Sequence, residues 1–450
     1  MPELARFVSA TEPVLVDAPA PPQLARDAER RDKAQLALAE RVRRWREIEA
    51  VNGTQNWIDA EIVRKGLTAG ADKDSKKAEA AERRALKKLA WSAYTATHIN
   101  HVGAGIHWSD HIDVDRFDID NREQRAAQLG LPALPDPQAL ADALGLTIPH
   151  LRVLCTHRDV DASTHYRRFL IPKRDGSART IAEPMPVLKE AQRFLLTHIL
   201  EKLEVHAAAH GFLQGRNIVS NAAVHAGASV VVKLDIKDFF PTITFERVKG
   251  LLRKAGLVEQ VATLCALLAT EAPRDVMRFR GETLYVATGA RALPQGAPSS
   301  PMITNALCLR LDRRMSGLAR KLGLAYTRYA DDLTFSWRGP VDKSPTGQLV
   351  GTVTKILASE GFALNEKKTA VMKAGARQSV TGLVVNRAEG KPAARVPREL
   401  KRKLRAALHN RRQGKAGPED KAQLQGLAAF LYMTDPVAGG RFLAEVAALT

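Results

Sequence analysis

Cysteine is scarce in this chain, and so are aromatic residues. Cys155, Cys265 and Cys308 are the only three cysteines in 450 residues. Their number is odd and their spacing wide, so neither a disulfide framework nor a zinc motif follows; a reducing, cytoplasmic setting is expected. No run of about 18 continuous apolar residues occurs, which excludes a helical membrane span. The start, Met-Pro-Glu-Leu, lacks the basic-then-apolar pattern of a secretory leader. Acidic residues are also in short supply. There are 49 against 68 lysines and arginines, a net charge of +19. A polyanionic partner is the natural inference, and nucleic acid fits better than a membrane surface. The hydrophobic share of 45% suits a globular protein with a large core. There is no internal repeat.

Composition divides the chain. Residues 1–28 are rich in Ala and Pro and read as a disordered tail. Helical patterns follow over about 32–50, 57–65 and 74–94. His98, His101, His107 and His111 suggest a metal only weakly, because no cysteine or acidic element joins them; packing or RNA contact, together with Trp108, is the stronger reading. Leu131-Pro132-Ala133-Leu134-Pro135-Asp136-Pro137 blocks helix continuation and marks a boundary. Helices then mix with strands, which argues an α+β class. After Asn386 the chain turns basic: residues 391–415 hold ten basic residues and one acid. There, Val396, Leu400, Leu404 and Leu408 form one apolar stripe, and Arg398, Lys401, Arg402, Arg405 and Arg412 lie outside it. Such a helix can lie along a nucleic-acid duplex, although a calmodulin target or a membrane-surface helix has a similar pattern. The expected divisions are 1–132, 133–386 and 387–450.

The chemistry is concentrated in a few segments. Tyr329-Ala330-Asp331-Asp332 lies between two strand-forming runs and reads as a hairpin with acids at its tip. An acidic turn on a solvated hairpin has the same pattern. The run Val230–Leu234 ends in Asp235, a carboxylate at the exit of a buried strand, with a helix N-cap as the alternative. Acids held this way suit phosphoryl transfer, in which carboxylate oxygens bridge two divalent ions roughly 3.5–4 Å apart. Mg²⁺ takes such hard oxygen ligands. Asp235 and Asp331 are the first-choice ligands and Asp332 a third. Phe240, five residues beyond Asp235, can pack under an incoming sugar and reject a 2′-hydroxyl; an ordinary core Phe is the alternative. Leu293-Pro294-Gln295-Gly296-Ala297-Pro298 is an irregular loop before a helix-compatible run from Met302 to Leu311, and Gln295 can bond a bound nucleotide; a purely structural Pro/Gly loop is the alternative. Ile171–Ile181 reads as a hairpin with Asp175-Gly176 in its turn, flanked by Lys173 and Arg179, which can clamp a triphosphate; a solvated charged turn is the alternative. In Asn365-Glu366-Lys367-Lys368, a lysine can protonate a pyrophosphate leaving group; a surface lysine has the same pattern.

In this order the segments resemble a reverse transcriptase, and more finely the bacterial retron reverse transcriptases. Two further runs carry the finer likeness. His210-Gly211-Phe212-Leu213-Gln214-Gly215-Arg216-Asn217-Ile218 leads into Asn221-Ala222-Ala223-Val224-His225, which resembles the family's Asn-Ala-x-x-His element. Val380-Thr381-Gly382 resembles its Val-Thr-Gly element. The likeness runs from about Asp136 to the C-terminus, and the long extension before it is similar to the myxobacterial type. The resemblance implies a right-hand polymerase of fingers, palm and thumb. It implies two Mg²⁺ ions, with Mn²⁺ as a substitute, on Asp235, Asp331, Asp332 and Ile236. It implies deoxynucleotide contacts from Lys173, Arg179, Asp238, Phe239, Phe240, Gln295 and Lys368. It implies RNA contacts from Asn221, His225, Val380, Thr381 and Gly382, beside those of the basic helix. The implied activity copies a structured non-coding RNA into single-stranded DNA, starting from a 2′-hydroxyl of an internal guanosine. The product is branched RNA–DNA, the role is defence against phage, and an effector protein is an implied partner. Other bacterial reverse transcriptases and a non-catalytic RNA-binding scaffold are the alternatives; intact Asp235, Asp331 and Asp332 argue against the scaffold.

Overall fold

The computed structural model describes residues 73–99, 101–103, 105–106, 121–172, 176, 178–387, 393–415 and 417–449. The expected tail, the helices over 32–50 and 57–65, His107, Trp108, His111 and Lys173 lie outside the described residues. Among the described residues the strands are β1 (Val160–Asp161), β2 (Tyr166–Pro172), β3 (Ala178–Pro184), β4 (Val230–Asp235), β5 (Arg274–Phe279), β6 (Glu282–Ala287), β7 (Ala325–Tyr329), β8 (Asp332–Trp337), β9 (Ala370–Lys373), β10 (Ser379–Val380) and β11 (Leu383–Val384). The mixture of helix and antiparallel strand matches the α+β expectation. The chain forms two compact units, and each is made of discontinuous segments.

One unit holds the described residues up to Ile199 together with 244–297. The third expected helix spans Lys73–Thr97. Pro137–Ala143 and Ile148–Cys155 are the expected short pair, each with proline in its first turn and a side-chain cap, from Asp136 and Thr147. β2 and β3 pair antiparallel from Tyr166↔Pro184 to Pro172↔Ala178, which is the expected hairpin. β1, β6 and β5 form a second small sheet. The helix Glu259–Ala269 is buried along most of its length. Buried Gln192 bonds to it, donating to the Leu268 carbonyl at 2.7 Å and to the Tyr166 hydroxyl at 2.9 Å. Gly256 ends the helix Phe245–Ala255 at φ 109°, and a β-carbon there would lie 2.5 Å from the Arg122 carbonyl oxygen. Only glycine allows that approach of the helix Arg122–Gln128.

The other unit holds 200–243 and 298–449. Its centre is a four-stranded antiparallel sheet in the order β7-β8-β4-β9. β4 is buried on both faces, as its continuous apolar run requires. The helix-compatible run after the Pro/Gly loop forms two helices, Ser300–Leu307 and Leu309–Lys321, which meet at Cys308, where ψ is 3°. Three helices close the unit: Arg398–Arg412, Lys421–Tyr432 and Pro436–Ala447. Leu404 and Leu408 of the expected stripe pack with Leu424, Leu431, Phe442 and Val446, and this cluster extends to Val231 of β4. Burying one such leucine stabilises by about 1.5–3 kcal/mol, so the basic helix is anchored by its apolar stripe and not by its charges. The last two helices cross at Gly439, where a β-carbon would overlap the Tyr432 backbone.

Candidate active site

Strand register brings the acids together. β4 pairs with β8 so that Asp235 stands opposite Asp332, and β7 pairs with β8 so that Tyr329 stands opposite Asp332. Ala330 and Asp331 form the two-residue turn between β7 and β8. The Ile236 N–H donates to the Asp331 carbonyl at 3.0 Å, which locks the tip against the exit of β4. Ala330 has φ 56°, a left-handed conformation that is uncommon outside glycine and that tight hairpin turns demand.

A buried polar network holds the turn from below. Arg328 and Asp312 are fully buried and joined by a fork, Nη2 to Oδ2 at 2.7 Å and Nε to Oδ1 at 2.9 Å. The Tyr326 hydroxyl donates to Asp312 Oδ1 at 2.8 Å. Arg328 Nη1 donates to Asn305 Oδ1 and to the Ala330 carbonyl, both at 3.2 Å. Asn305 in turn donates to the Gly211 carbonyl at 2.8 Å. Sequence reasoning missed Arg328, Asp312 and Asn305. The available signal was an arginine inside an apolar strand three residues before Asp331, a position that requires a buried partner.

The carboxylates lie among cations. Asp235 Oδ1 accepts from Asn365 Nδ2 at 2.9 Å, and Oδ2 accepts from Lys368 Nζ at 2.9 Å. That bond, with the nearby carboxylates, holds the Lys368 ammonium pKa above its ordinary value. Lys233 Nζ lies 3.8 Å from Asp332 Oδ1. Burial, then the neighbouring charges of Asp235 and Asp332, push the Asp331 carboxyl up. Burial also raises Asp332, against the pull of Lys233. As the side chains stand, no three His, Cys, Asp or Glu among the described residues are arranged to hold a metal ion. The donor set nonetheless fits a hard dication. Three carboxylates repel one another in a partly buried pocket, and a lysine ammonium supplies the compensating charge.

The remaining expected residues fall in several places. Ile236 is buried, and Asp238 is exposed with φ 46°. Phe239 is buried against Phe362, with ring centroids 5.6 Å apart. Phe240 is half-buried and meets Phe239 edge-on at 5.8 Å. Arg179 and Gln295 belong to the other unit. Arg179 is exposed on β3, and the Gln295 carbonyl accepts from the Ala182 N–H at 2.7 Å. Gly296 at φ 118° is pressed on that hairpin, and its β-carbon would meet Ile181 at 2.8 Å.

The expected RNA contacts need correcting at three positions. Asn221, His225 and Val380 are 1%, 0% and 0% exposed, so their side chains offer no surface to RNA. His225 is instead a cross-brace, bonded to Ser336 Oγ and to Thr327 Oγ1, both at 2.8 Å. Burial lowers its pKa to about 3 and keeps it neutral. Asn221 reaches Thr381 Oγ1 at 3.5 Å, and Thr381 donates to the Ile218 carbonyl at 3.1 Å. Thr381 and Gly382, with φ 46° and 84°, form the two-residue turn between β10 and β11; Gly382 is exposed. On the basic helix, Arg398, Arg402 and Arg405 are exposed, whereas Lys401 pairs with Asp435 at 3.2 Å and Arg412 with Glu445 at 3.0 Å.

The sheet, its acid-tipped hairpin and the facing Asp235 are those of a nucleotide polymerase palm. The reverse transcriptase (RNA-dependent DNA polymerase) family model matches residues 171–395. The chain belongs to that family, has its right-hand polymerase fold and is an RNA-directed DNA polymerase. Among curated proteins it is 51% identical to the Retron Mx162 reverse transcriptase of Myxococcus xanthus, over 98% of this chain and 96% of that one. It is 41% identical to the Retron Mx65 reverse transcriptase of the same organism, over 70% and 72%. It is 29% identical to the Retron Ec86 reverse transcriptase of Escherichia coli, over 72% and 92%. Within the family it is therefore a retron reverse transcriptase of the myxobacterial type. Divalent-metal dependence and a nucleic-acid partner follow from that membership. Among the described residues, no helix is long and apolar enough to cross a membrane.

Proposed function

We propose that this chain copies part of a structured non-coding RNA into single-stranded DNA, primed from the 2′-hydroxyl of an internal guanosine, and leaves a branched RNA–DNA product. The observation that carries the catalytic part is the register pairing of Asp235 with Asp332, with Asp331 at the adjoining tip. In this reading Asp235, Asp331, Asp332 and the Ile236 backbone would hold two Mg²⁺ ions, which Mn²⁺ can replace. When bound, such ions neutralise phosphate charge and favour ionisation of the attacking hydroxyl. The protein's own residues do the rest. Lys368, whose Nζ reaches Asp235 Oδ2 at 2.9 Å, supplies a proton to the departing pyrophosphate. Phe240, backed by Phe239, closes the space below the sugar and rejects a 2′-hydroxyl. Asp238 borders that space, and Lys173, Arg179 and Gln295 engage the triphosphate and base pair. Arg398, Arg402 and Arg405 grip the hybrid through its backbone and shape. Asn221, His225 and Val380 act from inside, holding the Thr381-Gly382 turn and the catalytic hairpin in place for RNA recognition.

On this reading residues 1–132 are an extension, 133–386 fingers and palm, and 387–450 a thumb. The protein works in the cytoplasm, in defence against phage, with an effector protein. Support comes from the retron relatives and from the two family-type elements that meet through Asn221 and Thr381. The test is to purify the chain with its adjacent transcript and supply deoxynucleotides with Mg²⁺. DNA that stays joined to RNA until a debranching enzyme is added supports the reading, whereas linear DNA or none overturns it.

A further inference from the structure

Phe212 is an exposed aromatic in an unfavourable backbone conformation next to the catalytic turn. Its φ is 62° and it is 47% exposed. A bulky side chain rarely adopts that region, and a ring left half in solvent recovers only part of the burial it could gain. The surroundings enforce the conformation. Gly211, which precedes it, lies so close to the hairpin that a β-carbon would stand 2.9 Å from the Ala330 nitrogen. The His210 N–H donates to the Arg328 carbonyl at 2.8 Å, and Asn305 holds the Gly211 carbonyl. On the far side, Arg216 donates to the carbonyls of Ala207 and Ala209. The loop is thus tied at its entry to the network that supports the acids and closed on itself by Arg216, and the ring it presents lies 6.3 Å from the Tyr329 ring, tilted by 41°. Backbone strain of this kind concentrates at ligand clamps and active sites.

We infer that Phe212 and Tyr329 form a stacking platform for the nucleobase at the priming end of the bound strand. The inference rests on the polymerase reading of the site. Tyr329 is two residues from Asp331, so a base resting on this platform keeps its sugar hydroxyl near the carboxylates. Stacking suits an enzyme that must accept every base in turn, because each base offers a π-face. Phe212 is a positioning residue: it orients the end of the strand and leaves the phosphoryl chemistry to the acids.

The test compares wild type with Phe212→Ala, Phe212→Leu and Phe212→Trp on a preformed RNA template with a DNA primer carrying 2-aminopurine at its 3′ end. Wild type should quench the 2-aminopurine on binding. Alanine and leucine should abolish the quenching and raise KM for the primer–template by about tenfold to a hundredfold. KM for deoxynucleotide and the unfolding temperature should stay at wild-type values, and tryptophan should restore binding. Leucine with wild-type KM would reduce the ring to an apolar contact and overturn the inference, as would an unquenched wild-type complex that still extends. A wild type that binds, quenches and fails to extend would instead overturn the polymerase reading beneath it.

Discussion

Removing Asp312 should cripple the catalytic hairpin without touching a catalytic group. Its carboxylate and the Arg328 guanidinium are both at 0% exposure, and Asp312 also accepts from the Tyr326 hydroxyl. Asp312→Ala leaves a guanidinium buried without its counter-charge, and breaking a buried pair this way destabilises by about 3–5 kcal/mol. That is a large fraction of the roughly 5–15 kcal/mol that holds a typical domain together. Arg328 also holds the Ala330 carbonyl, so the loss should loosen the turn that carries Asp331 and Asp332. Arg328→Met should cost a similar amount, because it leaves the carboxylate unpaired. The double variant Asp312→Ala/Arg328→Met should be more stable than the sum of the single losses predicts, since neither charge remains. Urea unfolding followed by circular dichroism measures the three losses, and primer extension well below the transition measures the turn. The double variant should regain stability yet extend slowly, because the Ala330 support is still missing. Additive losses in the double variant, or an Asp312→Ala protein within about 1 kcal/mol of wild type, would refute the reasoning.

Other consequences follow from the same geometry. Asp331→Asn should abolish DNA synthesis and leave RNA affinity near wild type, checked by extension and filter binding; normal extension would remove Asp331 from the site. Charge reversal at Arg402 and Arg405 should weaken RNA binding and flatten its dependence on salt, and an unchanged salt slope would count against the basic helix as a binding surface. His225 is neutral when folded, with a pKa lowered to about 3 from 6.5. The unfolded chain therefore binds the extra proton between those values, so this residue's effect is nil above pH 6.5. Below that it erodes stability by up to about 1.4 kcal/mol per pH unit until about pH 3. His225→Gln should show a shallower loss over pH 6.5–4 in thermal melts, and an equally steep loss would contradict the buried neutral brace.

Much of the site was legible because strand chemistry is local. The apolar run into Asp235 and the acid pair between two strand-formers each specify an element and its polar end, and antiparallel register then brings them together. The basic helix was legible from Leu404 and Leu408 for the same reason. What escaped was non-local. Nothing near Arg328 in sequence announces Asp312, which comes from a preceding helix and completes a pair only in three dimensions. His225 and Asn221 looked like contact residues because polar side chains in a motif suggest a ligand. Their partners, Thr327, Ser336 and Thr381, lie more than a hundred residues on, and the pairing turns them into internal braces. The break at Cys308 was invisible because no proline or glycine marks it.

The most direct test of the shared acid site is a Mn²⁺ titration followed by electron paramagnetic resonance, with a template–primer whose 3′ end lacks a hydroxyl and a matching deoxynucleotide. Wild type should bind the ion tightly, and Asp235→Asn and Asp331→Asn should each lose that binding although their carboxylates lie far apart in the chain. Equal Mn²⁺ affinity in wild type and both variants would contradict a site built jointly from the end of β4 and the tip of the β7–β8 hairpin.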